Sequence, residues 1–407
     1  MGSLTDQHSD LLIVGGGLVG LTLARAAAHV GLGVLIVDRE SSRQATSRTF
    51  DGRVSSIAKG SVNMLKHLGV WERVRKDAQP INEIRVTDGD SPLFLHYDSR
   101  DVGKGPMGYI LENRILRSAL HAVIAEDPGI VWRSATEVKE IKRGLYGVQA
   151  QLSDGTTASA ALVAAADGRH SALRAEAGIN VISRSYRQVG IVCAVAHFLP
   201  HQAIAHERFL SAGPFAILPM TGKRSSLVWT ERPEIATTIL KLGDNEFFSE
   251  LSWRFGDFLG QLEVLGPRWH YPLQLTLAER LTAERLALVG DAAHAIHPIA
   301  GQGLNLGLRD AAALAEVIGD AHALGMDIGD GMVLRGYGRW RRFDGLAMAA
   351  VTDGLNRLFS NDIGPIRDIR NIGLATVNQL PLLKRVFQRH AMGVLGNPPR
   401  LQRENAA

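Results

Sequence analysis

A single cysteine, Cys193, in a chain of 407 residues excludes an intramolecular disulfide and any thiolate metal cluster, and fits a reducing, cytosolic compartment. Aromatic residues are scarce at 6%, and no basic tract with interleaved aromatics is present, so nucleic acid is not an expected partner. No run approaches the roughly 18 apolar residues that span a bilayer, which leaves only peripheral contact with the inner face of a membrane. The opening MGSLTDQHSD is polar and does not read as a signal peptide. Charge is nearly balanced at +4 with a pI near 9.3, an excess that suits anionic surfaces or phosphorylated cofactors and little else. The rest of the composition, 45% apolar and 21% charged, is that of a globular protein with room for two domains or one elaborated domain.

Glycine is where the information lies. In LLIVGGGLVGLTLARAAAHVGLGVLIVDRE, Leu11 to Val14 read as a buried strand, Leu18 to Val30 have helical pattern, and Val34 to Val37 form a second strand. Gly15, Gly17 and Gly20 give GxGxxG, in which one glycine makes a tight turn, one lets a pyrophosphate approach the backbone, and one packs helix on strand. Asp38 ends the second strand, placed to accept hydrogen bonds from a ribose. Strand, glycines, helix, strand and acid in this order point to a dinucleotide.

A second stretch, LALVGDAAHAIHPIAGQGLNLGLRDAAAL from Leu286 to Leu314, begins as a short buried strand. Gly290–Asp291 breaks it and leaves Asp291 facing a crevice. Beyond Pro298, helical spacing predicts a helix whose N-terminus opens at Gly303, where unpaired N–H groups suit an anionic or electron-withdrawing partner. GQGLNLG is one residue too long for a second nucleotide fingerprint, so any reductant must bind elsewhere and transiently. Read alone, the stretch is equally a plain glycine-rich loop. Between the two, ALVAAADGRHSALRAEAG holds a strand that stops at Asp167-Gly168.

Several other segments are placed by pattern. Ser55 or Ser56 is expected to cap a helix running to about Leu68, with Arg53 in the loop ahead of it, able to reach a pyrophosphate or to lie solvated. Ile81 to Tyr97 reads as a hairpin turning at Asp88-Gly89-Asp90. Glu112 to Ile124 reads as an amphipathic helix with Arg114 near its start, and Val138 to Ile141 as a strand. From Val181 to Leu275 alternation predicts an antiparallel sheet with flanking helices, one of them over Phe255 to Leu265. Phe215, Leu218, Pro219 and Trp229 are candidate liners of a substrate pocket, or else fillers of an inter-domain core. His294 and His297 fit structural roles better than catalytic ones. In the last segment, Leu382, Leu383, Val386, Phe387, Ala391, Val394 and Leu395 share one helical face, with Lys384, Arg385 and Arg389 largely away from it. That helix would lie on an anionic membrane, dock a partner, or pack on its own core.

GGGLVG with its terminal acid, the mid-chain DG, and GDAAHxxxPxxGQGLNLGLxDA, in this order, resemble the class A flavoprotein aromatic hydroxylases. YGRWRR, TDGLNRLF, RNIGLATVNQLPLLKR and AMG are similar to the ubiquinone-biosynthesis branch of that family. The resemblance implies FAD as resident cofactor, NADPH or NADH as visiting reductant, and O₂ as co-substrate. It would give Gly15, Gly17 and Gly20 to the pyrophosphate, with Leu18 and Val19 also cofactor-binding, and Asp38 to the adenosine ribose, where the family more often has Glu. Arg53 and Arg114 would contact the phosphates and ribityl region, Val138 the adenine side, Asp167 the DG function, and Asp291 the ribityl hydroxyls. The Gly303 and Leu304 amides would face the isoalloxazine carbonyl, while Pro298, Gly301 and Gln302 line the reacting flavin face. Reduced flavin would activate O₂ as a C4a-hydroperoxide; no side chain stands out as a base for the phenol.

The expected fold is therefore α/β: a Rossmann-like FAD-binding domain (1–80, 100–180 and 276–330), an inserted antiparallel-sheet substrate domain (81–99 and 181–275), and a helical C-terminal region (331–407). The expected activity is hydroxylation of a polyprenylated phenol or quinol precursor of ubiquinone. A flavin hydroxylase of a small soluble aromatic, and an FAD-stabilised scaffold of a biosynthetic complex with no turnover, are the alternatives.

Overall fold

A strand apolar on both faces needs cover on both faces, and the first strand obtains it. The computed structural model describes residues 7–41, 49–89, 91, 94–103, 105–360, 370, 378, 380–394 and 396–404. In it Gln7–Val14 runs parallel to Val34–Val37 on one side and to Thr157–Ala165 on the other. Leu286–Leu288 adds in parallel beyond the latter, and Ile130–Arg133 beyond the former. Leu11, Leu12, Ile13, Leu35, Ile36, Leu162, Val163 and Leu288 are completely buried, as expected of a parallel sheet covered on its faces. The helices Leu18–His29 and Gln302–Ala323 cross so closely that a Cβ on Gly307 would lie 2.7 Å from Val19, and one on Gly319 2.9 Å from Val30.

The second sheet is mostly antiparallel. Leu262–Ala278, Val181–His197, Arg224–Glu231, Gly213–Met220 and Ile204–Leu210 lie side by side in that order. The hairpin Glu83–Asp88 with Phe94–Asp98 extends it, its first strand parallel to Ile204–Leu210. His294–Ala295 adds at the opposite edge. Alternation sorts its faces. Ile191, Cys193, Val195, Phe215, Ile217, Leu227 and Trp229 point outward and pack with Phe247, Leu251 and Phe255 of the covering helix. Ala194, Ala205, Leu218 and Met220 point inward, onto Ile81, Met107 and Ile110.

Three expectations are corrected. Ser55 and Ser56 cap no helix: Val54–Ala58 is a strand paired with Gly108–Glu112, and the helix Lys59–His67 starts only after Ala58. The unpaired edge of Gly108–Glu112 takes up these backbone groups, so tertiary pairing overrides the local capping signal. Phe255 to Leu265 is not helical either. The helix is Asp244–Phe255, closed by Gly256 at φ +86°, and from Leu262 the chain enters the sheet. Ile81 belongs to the strand Gln79–Ile81 of a separate three-stranded sheet; of the expected hairpin turn, Asp90 lies outside the described residues.

After the helix Gly331–Phe359, the helix Pro381–Ala391 docks through polar groups. Gln388 Nε2 donates to the Asp98 carbonyl at 2.5 Å, and Lys384 pairs with Asp101 at 2.9 Å. Lys384 thus lies on the docked side rather than away from it, while Phe387 is 44% exposed. The side chains of Leu382, Leu383 and Val386, and Leu395, lie outside the described residues. Among the described residues no helix is long and apolar enough to cross a membrane.

Candidate active site

Parallel register carries three sequence motifs to one place. Val14 is aligned with Val37 and with Ala165, and Ala165 with Leu288. The strands therefore end together, and the Gly15 turn, Asp38, Asp167 and Asp291 emerge along one edge. Crevices at the carboxyl ends of parallel strands are where such sheets bind ligands.

The glycines divide their work as the spacing predicts. Gly15 turns with φ +110°, and a Cβ there would lie 2.3 Å from the Ala166 carbonyl oxygen. On Gly20 a Cβ would meet the Gly15 carbonyl oxygen at 2.0 Å. Gly17 differs: it caps the Leu18–His29 helix, and a Cβ would meet nothing within 4 Å. The helix end thus opens onto space, with unpaired N–H groups and the positive end of the dipole facing it. Asp38 accepts the Gly16 N–H at 2.5 Å and the Glu40 N–H at 2.8 Å, and its carbonyl takes the Thr136 N–H, which leads the chain on to Val138, packed on the main core.

Two acids lack the partners their surroundings call for. Asp167 Oδ2 accepts the N–H groups of Ala172 and Leu173, but its buried Oδ1 has no partner among the described residues. Asp291 is accessible by surface area yet deep enough in its recess that burial raises its carboxyl pKa, against the opposing charges of Arg169 and His294. An acid open at the surface and still poorly solvated lies in a concave site. A buried acceptor without a donor on Asp167 and a poorly solvated carboxyl on Asp291, beside a helix end open to anions, fit a hydroxylated and phosphorylated ligand such as FAD.

The Asp291 turn is braced from three sides. Asp310, completely buried on the Gln302–Ala323 helix, accepts the Gly290 N–H at 3.0 Å and Arg341 Nε at 2.7 Å. His294 Nε2 lies 2.6 Å from Asp310 Oδ2. Arg174 Nη1 donates to the Ala292 carbonyl at 2.8 Å, which ties the DG segment to this turn. Tyr337 Oη donates to the Leu288 carbonyl at 2.7 Å.

The following loop ends at Gly301, left-handed at φ +62°, where a Cβ would sit 2.8 Å from Ser56. The helix opens one residue before the expected Gly303, at Gln302. Gly303 itself faces open space. Asn305 fixes this end: its Oδ1 accepts from the Ala58 N–H and Ser61 hydroxyl at 2.9 and 2.8 Å, and its Nδ2 donates to the Ser56 and Gly301 carbonyls at 2.8 and 3.2 Å. Asn305, Asp310, Arg174 and Arg341 were not singled out by sequence. Asn305 and Asp310 lie in the late glycine stretch, Arg174 in the DG segment and Arg341 in YGRWRR, but nothing in those stretches shows which residue each would meet.

Arg53 and Arg114 line a cleft of about 330 Å³ with Phe50, Asn113, Arg117 and Trp269. Each already holds a carboxylate: Arg53 bonds Asp51 at 2.8 Å, and Arg114 bonds the buried Glu112 at 2.6 Å. Arg53 also lies over the Trp269 ring. Of the candidate pocket liners, Phe215 and Trp229 are corrected. They are completely buried on the outward face, 6.1 Å apart, within the core between sheet and helix. Leu218 lies on the inward face and Pro219 is buried at its strand's end. His297 donates from Nε2 to Gln188 Oε1 at 3.3 Å, and burial holds it neutral by lowering its pKa to about 4. His294 lies against Asp310.

Comparison with known proteins agrees with this geometry. The chain is 48% identical over 401 residues to ubiquinone hydroxylase UbiL of Rhodospirillum rubrum, covering 98% of this chain and 93% of that one. It is 31% identical to the 3-demethoxyubiquinol 3-hydroxylase of Escherichia coli, covering 96% and 100%. Among solved structures, p-nitrophenol 4-monooxygenase PnpA of Pseudomonas putida superposes with a TM-score of 0.81 at 20% identity, over 97% of this chain and 100% of that one. The family model of the FAD binding domain matches residues 8–324, and the chain belongs to that family of FAD-binding flavoproteins.

Proposed function

We propose that this protein is an FAD-dependent monooxygenase that hydroxylates the aromatic ring of a polyprenylated phenol or quinol precursor in ubiquinone biosynthesis, using NADPH or NADH and O₂. One observation carries the reading: near-complete alignment at 48% identity with a ubiquinone hydroxylase. The site supports it chemically, because side chains do not activate O₂ and bound FAD supplies that chemistry.

What this chain's residues do can be stated group by group. Gly15, Gly17, Leu18, Val19 and Gly20 present the helix end to the pyrophosphate, and Asp38 accepts from the ribose, near Val138. Arg53 and Arg114 share their charge between phosphate and their present carboxylates. Asp167 Oδ1 and Asp291 accept hydroxyl groups. The Gly303 and Leu304 amides hold the ring carbonyl, and Pro298, Gly301 and Gln302 form the wall opposite the substrate. The inward face of the second sheet supplies an apolar, water-poor surface that aligns the substrate ring.

We divide the chain accordingly into a cofactor part (1–80, 100–180 and 276–330), a substrate part (81–99 and 181–275) and a C-terminal part (331–407). A peripheral contact with membrane or biosynthetic partner is assigned to the C-terminal helices. Arg385 and Arg389 are exposed there beside Phe387.

Purified protein with FAD should oxidise NAD(P)H faster when a prenylated phenol is added and should yield a product heavier by one oxygen atom. Turnover of small unprenylated phenols alone would overturn the substrate class. Oxidation indifferent to every phenol would favour a scaffold.

A further inference from the structure

Along Ile204–Leu210, Ala205 and Phe209 point inward, into two apolar clusters. His206 packs tilted against Phe258, and Arg208 donates to the Arg254 carbonyl on the helix-covered side. Alternation therefore turns Glu207, between Ala205 and Phe209, to the inward face. Its cross-strand neighbours are Ala216 and Val86, neither of which offers a hydrogen bond from its side chain. Glu207 has no hydrogen-bond or ionic partner among the described residues. It keeps part of its surface accessible. The Phe209 cluster includes Leu95, Phe359 and Ile299, and Ile299 directly follows Pro298 in the loop assigned to the wall of the reaction site.

We propose that Glu207 faces the bound ring and takes the proton of its hydroxyl group. This rests on the monooxygenase reading above. A carboxyl kept in an apolar recess without a partner is a cost to folding that a ligand contact explains. Burial pushes its pKa up to about 7, where a base is most effective near neutral pH. Other titratable groups around this face do not compete with it. Tyr97 on the neighbouring hairpin is pushed up to about 12 by burial, and His297 is neutral. Asp88 and Arg370, at the Phe209 end, bond each other.

In the step, a carboxylate oxygen of Glu207 gains the proton, the ring O–H bond breaks, and its electron pair stays on oxygen, enriching the ortho and para carbons. After oxygen transfer, the hydrogen of the substituted carbon moves as a proton to the original ring oxygen. The proton held by Glu207 leaves with the second oxygen atom of O₂ in the water formed, and Glu207 returns to its starting state.

The test uses the full FAD-loaded chain with Glu207→Gln and Glu207→Asp, a geranylated phenol and its methyl ether. Wild type should bind the phenol more tightly than the ether, read from the change in flavin absorbance. Glu207→Gln should retain FAD, lose that preference, and form product roughly 10²–10⁴-fold more slowly at pH 7, without the rise in rate that wild type shows around pH 7. Glu207→Asp should recover part of the rate. An unchanged rate, pH profile and preference in Glu207→Gln overturn the proposal. A wild type that makes no product sinks the monooxygenase reading instead, and equal binding of phenol and ether by wild type then still overturns the role of Glu207.

Discussion

Replacing Asp310 by asparagine should destabilise the protein and loosen its hold on FAD together. Asp310 and Arg341 are both completely buried, with Nε and Oδ1 2.7 Å apart. Removing the negative charge leaves the guanidinium without its fully buried counter-charge, a loss of about 3–5 kcal/mol for a buried pair. The Gly290 N–H then donates to a neutral group instead of a carboxylate, about 1 kcal/mol more. Asp344 still holds Arg341 at 2.5 Å and offsets part of this, so the net cost should be about 3 kcal/mol. At roughly 2–4 °C per kcal/mol for a domain of 150–250 residues, the melting temperature should fall about 6–12 °C. Burial alone would raise the Asp310 carboxyl, but His294 and Arg341 overcome it and hold the group below its ordinary range. Its contribution is therefore complete above about pH 4 and is lost as pH falls through the lower folded value. The gap between wild type and variant should be widest near neutrality and close in acid. Thermal unfolding followed by circular dichroism and by flavin fluorescence reads both effects. A variant within 1 °C of wild type, with FAD equally retained, would refute the idea that this buried pair braces the Asp291 turn.

Asp291→Ala should release FAD on gel filtration while the apoprotein keeps its melting temperature; retained flavin absorbance would count against its role. Gly17→Val should weaken FAD binding without harming the apo fold, whereas Gly20→Ala, which collides with the Gly15 carbonyl, should harm the fold itself; equal apo stabilities would contradict the division. His121, His206 and His297 are each lowered to about 4, with burial the largest cause. Their unfolded forms take up protons first, so stability should be full above about pH 6.5 and decline as pH falls toward 4. His297→Gln should reduce that slope by about one proton, and an unchanged slope would place the uptake elsewhere. Arg385→Glu with Arg389→Glu should reduce sedimentation with anionic vesicles and leave the fold intact; undiminished sedimentation would remove the C-terminal helix from any lipid contact.

The glycine turns, the three acids and the parallel strands were legible because each is fixed by local chemistry: a tight turn, a strand end, an apolar run. What escaped is set by partners distant in sequence. Val54–Ala58 becomes a strand only because Gly108–Glu112 offers an edge. Phe215 and Trp229 face away from the proposed pocket because the helix Asp244–Phe255 covers that side. Glu207 left a faint trace, a charge at an inward position between Ala205 and Phe209, which alternation exposes once the strand's facing is known. Asp310 is visible only as the acid of GLxDA, and its partner Arg341 lies 31 positions on.

The second sheet takes its strands from widely separated stretches, with the 83–98 hairpin at one margin and His294–Ala295 at the other. The segment 181–278 alone would carry raw edges on both flanks, so it should resist expression as an independent module and tend to aggregate. Transplanting substrate preference between relatives would have to move the hairpin and the histidine loop along with the insert.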